Sequence, residues 1–169
     1  MTNEIYIRKA HPNDLDCVLK IYSDARQFMK ESGNPDQWGE SYPPAEIVRE
    51  DLSESGHGYV ATDGKDIFAV FYFKENADDP EYRKIYDGKW LSEKEYGAVH
   101  RIGISNVARG KKIGKLCISW ALQKTGNIKI DTHESNLPMQ RLLLSLGFTH
   151  CGSIYLEDGS RRMAYQCII

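Results

Sequence analysis

Apolar and polar positions change period repeatedly along the chain, and those changes predict its elements. Residues 5–9 alternate at period two, as a half-buried strand does. His11-Pro12-Asn13-Asp14 then offers proline and capping side chains, and Leu15, Val18, Leu19, Tyr22 and Ala25 keep helical spacing to about Met29. Ser32-Gly33-Asn34-Pro35-Asp36 breaks that helix. An aromatic loop through Trp38 and Tyr42-Pro43-Pro44 leads into a short helix over residues 45–52. Residues 59–62, the Asp63-Gly64 turn and residues 67–73 read as a β-hairpin.

Residues 74–95 are polar and turn-rich, an excursion with Tyr82, Tyr86, Trp90 and Leu91 as its anchors. A strand over 97–104 follows, and Ile113, Leu116, Cys117, Trp120, Ala121 and Lys124 mark one face of a helix ending near Gly126. Residues 128–132 read as another strand. Ser135 or Asn136 can cap the next helix, which has Pro138 in its first turn, Leu142, Leu143 and Leu146 inside, and Gly147 as its stop. Two strands, 149–156 and 161–168, flank Asp158-Gly159. The order β-α-α-β-β-β-α-β-α-β-β, with no repeat and no linker, predicts one α/β (α+β) domain over residues 1–169.

Composition agrees with that class. The chain is 41% hydrophobic and 27% charged, enough apolar material for a core. Its longest apolar runs, such as residues 67–73, fall far short of the roughly 20 residues that cross a bilayer. Met1-Thr2-Asn3-Glu4 lacks the basic and apolar stretches of a secretory signal, so the expected location is cytoplasmic, without a membrane partner. Cys17, Cys117, Cys151 and Cys167 are widely spaced and read as reduced thiols, mostly in the core. No Cys or His pair has ligand spacing, which argues against a metal.

Net charge changes the picture. The formal value of -2 is a cancellation: residues 96–130 carry seven basic side chains and no acid, leaving -9 elsewhere. The density peaks in Arg109-Gly110-Lys111-Lys112-Ile113-Gly114-Lys115. Four cations and two glycines between a strand and a helix describe a pyrophosphate site, since the first helical amides are unpaired donors and glycine lets an anion approach the main chain. A P-loop is excluded by the Gly110–Gly114 spacing and by Leu116 where a Ser or Thr would bind magnesium. Gly56-His57-Gly58 enters a strand rather than a helix and reads as a turn. A nucleic-acid partner is not expected, because the cations lack interleaved aromatic residues.

Two blocks of this sequence resemble the GNAT family of N-acetyltransferases. The first is Arg109-x-x-x-x-Gly114, which follows Ile104 by five positions; Lys112 stands where the family's middle glycine is usual. The second is the strand 128–132, then Asn136-Leu137-Pro138-Met139 and Gly147-Phe148. The resemblance spans essentially the whole chain. It implies a mixed, mostly antiparallel sheet flanked by helices, whose central strands (97–104 and 128–133) part at one end to admit acyl-CoA. Acetyl-CoA is then the implied co-substrate and an amine the acceptor. Pantetheine would pair with backbone of Ile102, Gly103 and Ile104. Its pyrophosphate would rest on Gly110, Lys111, Lys112, Ile113, Gly114 and Lys115 with Arg109 assisting, and Asn136 and Met139 would complete the site. A homodimer through the C-terminal strands is a family option.

Direct attack of an amine on a thioester requires an uncharged amine, a donor for the oxyanion and a proton for the leaving thiolate. The Ile102 amide suits the second need. His100, two residues before Ile102 and expected on the same strand face, is the candidate base; its alternative is a structural role. The family's usual acid is a tyrosine, and that position is Leu143. Tyr155 or His133 are the candidate substitutes, with a packing tyrosine and a strand-end histidine as alternatives. Cys151 reads better as a small core residue than as an acyl carrier. Trp38 and Tyr42 either line an acceptor site or pin their loop, and Asp78, Asp79 and Glu81 either attract a cationic amine or form a solvated turn. Leu143 and Lys112 also suit a rival, a CoA-binding module without catalysis.

Overall fold

A computed structural model of the protein describes residues 3–169. It contains strands β1 (Tyr6–Lys9), β2 (Gly58–Thr62), β3 (Ile67–Lys74), β4 (Gly97–Ile104), β5 (Asn127–Thr132), β6 (Thr149–Tyr155) and β7 (Arg161–Ile168), with helices α1 (Leu15–Glu31), α2 (Ala45–Leu52), α3 (Ile113–Thr125) and α4 (Leu137–Ser145). The strands form one sheet in the order β1-β2-β3-β4-β5-β7-β6. Every pairing is antiparallel except β4 with β5. That parallel pair is joined only at Gly97–Ile128 and Ala98–Lys129. Beyond it the edge of β4 from Val99 to Ile104 has no partner in β5, so the sheet opens at its centre.

Both faces of the sheet are covered. On one, Ile113, Cys117, Ile118 and Ala121 of α3 and Leu143 of α4 pack with Phe71, Phe73, Val99, Ile128 and Ile130. On the other, Val18, Ile21, Tyr22 and Ala25 of α1 meet Val60 and Val70, together with Val48 and Leu52 of α2. The α1 positions follow i, i+3, i+4 and i+7, the spacing that places one stripe against a sheet. Tyr82 and Trp90 of the excursion form a third cluster with Ala98, Cys151, Ile154 and Ala164. Two of the expected anchors do not serve: Tyr86 and Leu91 are exposed. The excursion is held there by backbone instead, through reciprocal Tyr86–Ser153 hydrogen bonds of 2.8 Å.

β4 carries an irregularity that the periodicity did not predict. Its register against β3 runs Val99–Phe73 and His100–Tyr72, then resumes at Gly103–Val70. Arg101 and Ile102 therefore oppose the single residue Phe71, and Arg101 has φ +50°. One inserted residue in a strand reverses every side chain after it. His100 consequently stays on the α1–α2 face beside Tyr72, whereas Ile102 packs with the α3–α4 core. The expectation that they share a face is corrected: the bulge at Arg101 separates them.

Candidate active site

Two cavities lie at the opening between β4 and β5, and they meet. The first, of about 610 Å³, is lined by Phe28 and Met29 of α1, Ile102 and Ile104 of β4, the loop Ala108–Gly110, the first turn of α3, and Asn136, Pro138, Met139 and Leu142. The second, of about 690 Å³, is polar and lies under the loop 36–42 and the excursion. Met29, Ile102, Asn136 and Met139 line both. These four side chains form the threshold between the two spaces.

The first cavity ends at the N-terminus of α3. No side chain caps that end, so its first amides keep their hydrogen-bonding capacity for an anion. Gly110 has φ +79°, a region disfavoured for residues with a β-carbon. Lys112 adopts the same left-handed conformation at φ +62°, although it carries a side chain. Gly114 is small for a different reason: a β-carbon there would come within 3.0 Å of Leu142 on α4. Arg109 folds back over the loop. Its guanidinium donates to Ile104 O at 3.1 Å and Asn106 Oδ1 at 3.1 Å and stacks 3.8 Å from the Phe28 ring centroid. Burial lowers its pKa, yet it remains a cation.

The seven basic residues do not form one surface. Lys129 is buried over the rings of Trp90 and Tyr96, and Arg101 makes a bidentate pair with Asp51 at 2.9 Å on both arms. Lys111, Lys112 and Lys115 are exposed around the α3 N-terminus. Lys112 and Lys115 line the cavity; Lys111 does not. Gly103 is also absent from its wall, because it faces α1, where a β-carbon would sit 3.2 Å from Tyr22.

Asn136 works at the threshold. Its side-chain oxygen accepts from Met139 N at 3.2 Å, capping α4, and its amide donates to Gln37 Oε1 at 2.9 Å. Gln37 Oε1 also accepts from Asn34 at 2.8 Å. The loop after α1 is thereby tied to α4 across the opening. Gln37 was not identified from sequence, because an isolated glutamine in a loop carries no spacing signal.

The second cavity holds an acid–histidine pair. His100 Nε2 lies 2.8 Å from Asp79 Oδ1, and Tyr96 OH donates to Asp79 Oδ2 at 3.2 Å. Burial would raise the Asp79 carboxyl, but the hydrogen bond and charge of His100 outweigh it and hold the group below the usual aspartate range. A proton on Nε2 facing Asp79 leaves Nδ1 as the open acceptor. Asp131 behaves oppositely. Half-buried beside Tyr82, whose hydroxyl donates to it at 2.6 Å, it has its pKa raised by burial. Arg162 of β7 also lines this space, as do Asp36, Glu81, Glu157 and Asp158.

Trp38 and Tyr42 both line the second cavity. Trp38 does so while buried edge-on against Tyr22 at 5.6 Å, so lining and pinning coexist in one residue. Of the three acids of the excursion, Asp79 and Glu81 reach the cavity, whereas Asp78 pairs with Arg83 in solvent at 2.8 Å. Tyr155 and His133 line neither cavity. Tyr155 is exposed on β6, stacked edge-on against Tyr86 at 5.0 Å. His133 accepts from Ser135 N at 3.0 Å and closes the turn into α4. Tyr155 is taken up by Tyr86 of the excursion, and His133 is held in the turn that precedes the Asn136 cap of α4.

The sequence matches the acetyltransferase (GNAT) family over residues 18–148. The chain belongs to that family. No curated protein matches it in sequence. Among solved structures, a GNAT-family acetyltransferase of Streptococcus agalactiae 2603 is 30% identical with a TM-score of 0.88, covering 98% of this chain and 95% of its own. A GNAT-family acetyltransferase of Listeria monocytogenes 4b F2365 is 21% identical with a TM-score of 0.72, over 99% and 96%. yncA from Salmonella typhimurium, solved with its cofactor acetyl-CoA, is 15% identical with a TM-score of 0.65, over 98% and 94%. The mixed, mostly antiparallel sheet with flanking helices is the GNAT fold.

Proposed function

We propose that this chain transfers the acetyl group of acetyl-CoA to the primary amine of a small-molecule or amino-acid-like acceptor. The observation that carries the reading is the junction of the two cavities at Met29, Ile102, Asn136 and Met139. One cavity ends at an uncapped helix N-terminus with cations around it, the chemistry an anionic pyrophosphate needs. The unpaired edge of β4 beside it suits an extended pantetheine with amide groups of its own. The neighbouring cavity holds His100 and Asp79.

In this reading Ile102, Gly103 and Ile104 supply main-chain groups to pantetheine. Gly110 to Lys115 and Arg109 hold the phosphates, and Asn136 and Met139 wall the thioester end. The Ile102 amide stabilises the oxyanion as the amine attacks. His100, polarised by Asp79, takes the amine proton at Nδ1, directly or through water. Tyr155 and His133 lie outside both cavities and are not part of this proposal. Leu143 is fully buried and offers no proton; a thiolate departs readily enough to need no strong acid.

Release of free thiol from acetyl-CoA across a panel of amines tests the reading. Amine-dependent release supports it. Acetyl-CoA that raises the melting temperature without release by any amine would point instead to the CoA-binding module.

A further inference from the structure

Arg162 is a buried cation that makes no ion pair among the described residues. It lines the second cavity and is 7% exposed. Its guanidinium donates to two main-chain carbonyls, Arg161 O at 3.0 Å and Gln37 O at 3.4 Å. Arg101, the other arginine of this cavity, has a bidentate carboxylate in Asp51. Asp131 and Asp158 lie within electrostatic reach of Arg162, but Asp131 holds the Tyr82 hydroxyl and Asp158 the Ser160 amide. Removing a guanidinium from water with no carboxylate hydrogen-bonded to it is costly. Three of its five N–H groups are left free of the two carbonyls, in a planar fork whose natural complement is a carboxylate.

Apart from Arg101, which Asp51 neutralises, the other charged side chains of the cavity are mostly acids. Its exposed members Asp36, Glu157 and Asp158, with Glu81 beside them, are acids, and His100–Asp79 stands on β4. β4 and β7 are separated by β5 alone, so their axes lie about 10 Å apart where the sheet is paired. A small molecule with an amine towards β4 and a carboxylate towards β7 meets both charges within one cavity. A polyamine would set a cation beside Arg162, and an uncharged peptide chain would leave it unpaired.

We propose that Arg162 binds the carboxylate of the acceptor, which makes the acceptor a carboxylate-bearing amine. The inference rests on the reading of the second cavity as the acceptor site. Amino acids are the simplest members of that class.

Calorimetric titration of the CoA-loaded protein with L-amino acids, each beside its decarboxylated amine, tests this without requiring turnover. At least one amino acid should bind about tenfold or more tightly than its amine, the magnitude of a charge-assisted hydrogen bond. Arg162→Gln should abolish that preference, and Arg162→Lys should restore only part of it, lacking the fork. Equal or tighter binding of the amines overturns the proposal, as does a preference that survives Arg162→Gln. Absence of saturable binding by every amino acid also overturns it. If Arg162→Gln fails to fold, the matched pairs on the unaltered protein still decide. Thiol release measured in parallel separates the two readings: carboxylate-dependent binding without release removes the transferase, whereas release by amines alone removes only the carboxylate site.

Discussion

Two aspartates that line the second cavity respond to folding with opposite sign. Asp79 keeps its carboxyl below the usual range because His100 and Tyr96 bond its oxygens. Its ionised form therefore adds stability above about pH 4, and that contribution disappears as pH falls through the lowered value. Asp131 has its pKa raised by burial, so its contribution is complete below about pH 4 and is lost as pH rises through the folded value. Asp79→Asn should consequently lower the melting temperature at pH 7, and Asp131→Asn, which still accepts from Tyr82, should raise it. Both differences should shrink below about pH 4; melting curves across pH 3 to 8 check the signs. His100 is tested by rate. His100→Ala should reduce turnover by about a hundredfold or more, the scale of a lost general base. The shift in melting temperature caused by CoA should be unchanged, because His100 does not line the first cavity.

At the scale of elements, the N-terminus of α3 combines strain with charge. Lys112 holds a left-handed conformation in which a β-carbon costs about 1–2 kcal/mol. Lys112→Gly should therefore stabilise the protein by about 1 kcal/mol in denaturant unfolding. The same change removes a cation from the cavity wall and should weaken CoA in a direct titration, increasingly so at low salt. Opposite movements of stability and affinity are the result that identifies Lys112 as a residue kept for binding. The helices, the hairpin and the sheet-end strands were legible because burial imposes a period, and the loop proposed to hold CoA drew notice because cations and glycines cluster in a strand–helix junction. The bulge at Arg101 was not legible. An extra residue in a strand changes no composition, and Arg101 is polar whichever face it takes. Nor was the Asp79–His100 bond legible, since it joins residues 21 positions apart across the largely irregular excursion. Arg162 carried no signal either, because the neighbours of a terminal strand are set by topology, and β7 lies beside β5.

For the whole molecule, the arrangement of the cavities constrains the kinetic order. They are two spaces that meet at Met29, Ile102, Asn136 and Met139, so an acceptor can enter the second while the first is filled. A relay through the protein would need a nucleophile at that junction. None of the four threshold residues is one. Cys151 is buried in the cluster beneath the excursion, lines neither cavity, and has its thiol pKa raised by burial, which disfavours the thiolate. Cys117 is sealed within the core with its thiol pushed up to about 12, and Cys17 is exposed on α1 outside both cavities. The proposed transfer therefore requires both substrates to be present together. Initial rates at varied acetyl-CoA and fixed acceptor concentrations should give intersecting reciprocal plots, and Cys151→Ser should leave that pattern intact. Parallel lines, together with an acetylated protein after incubation with acetyl-CoA alone, would require a carrier residue that the junction of these cavities does not contain.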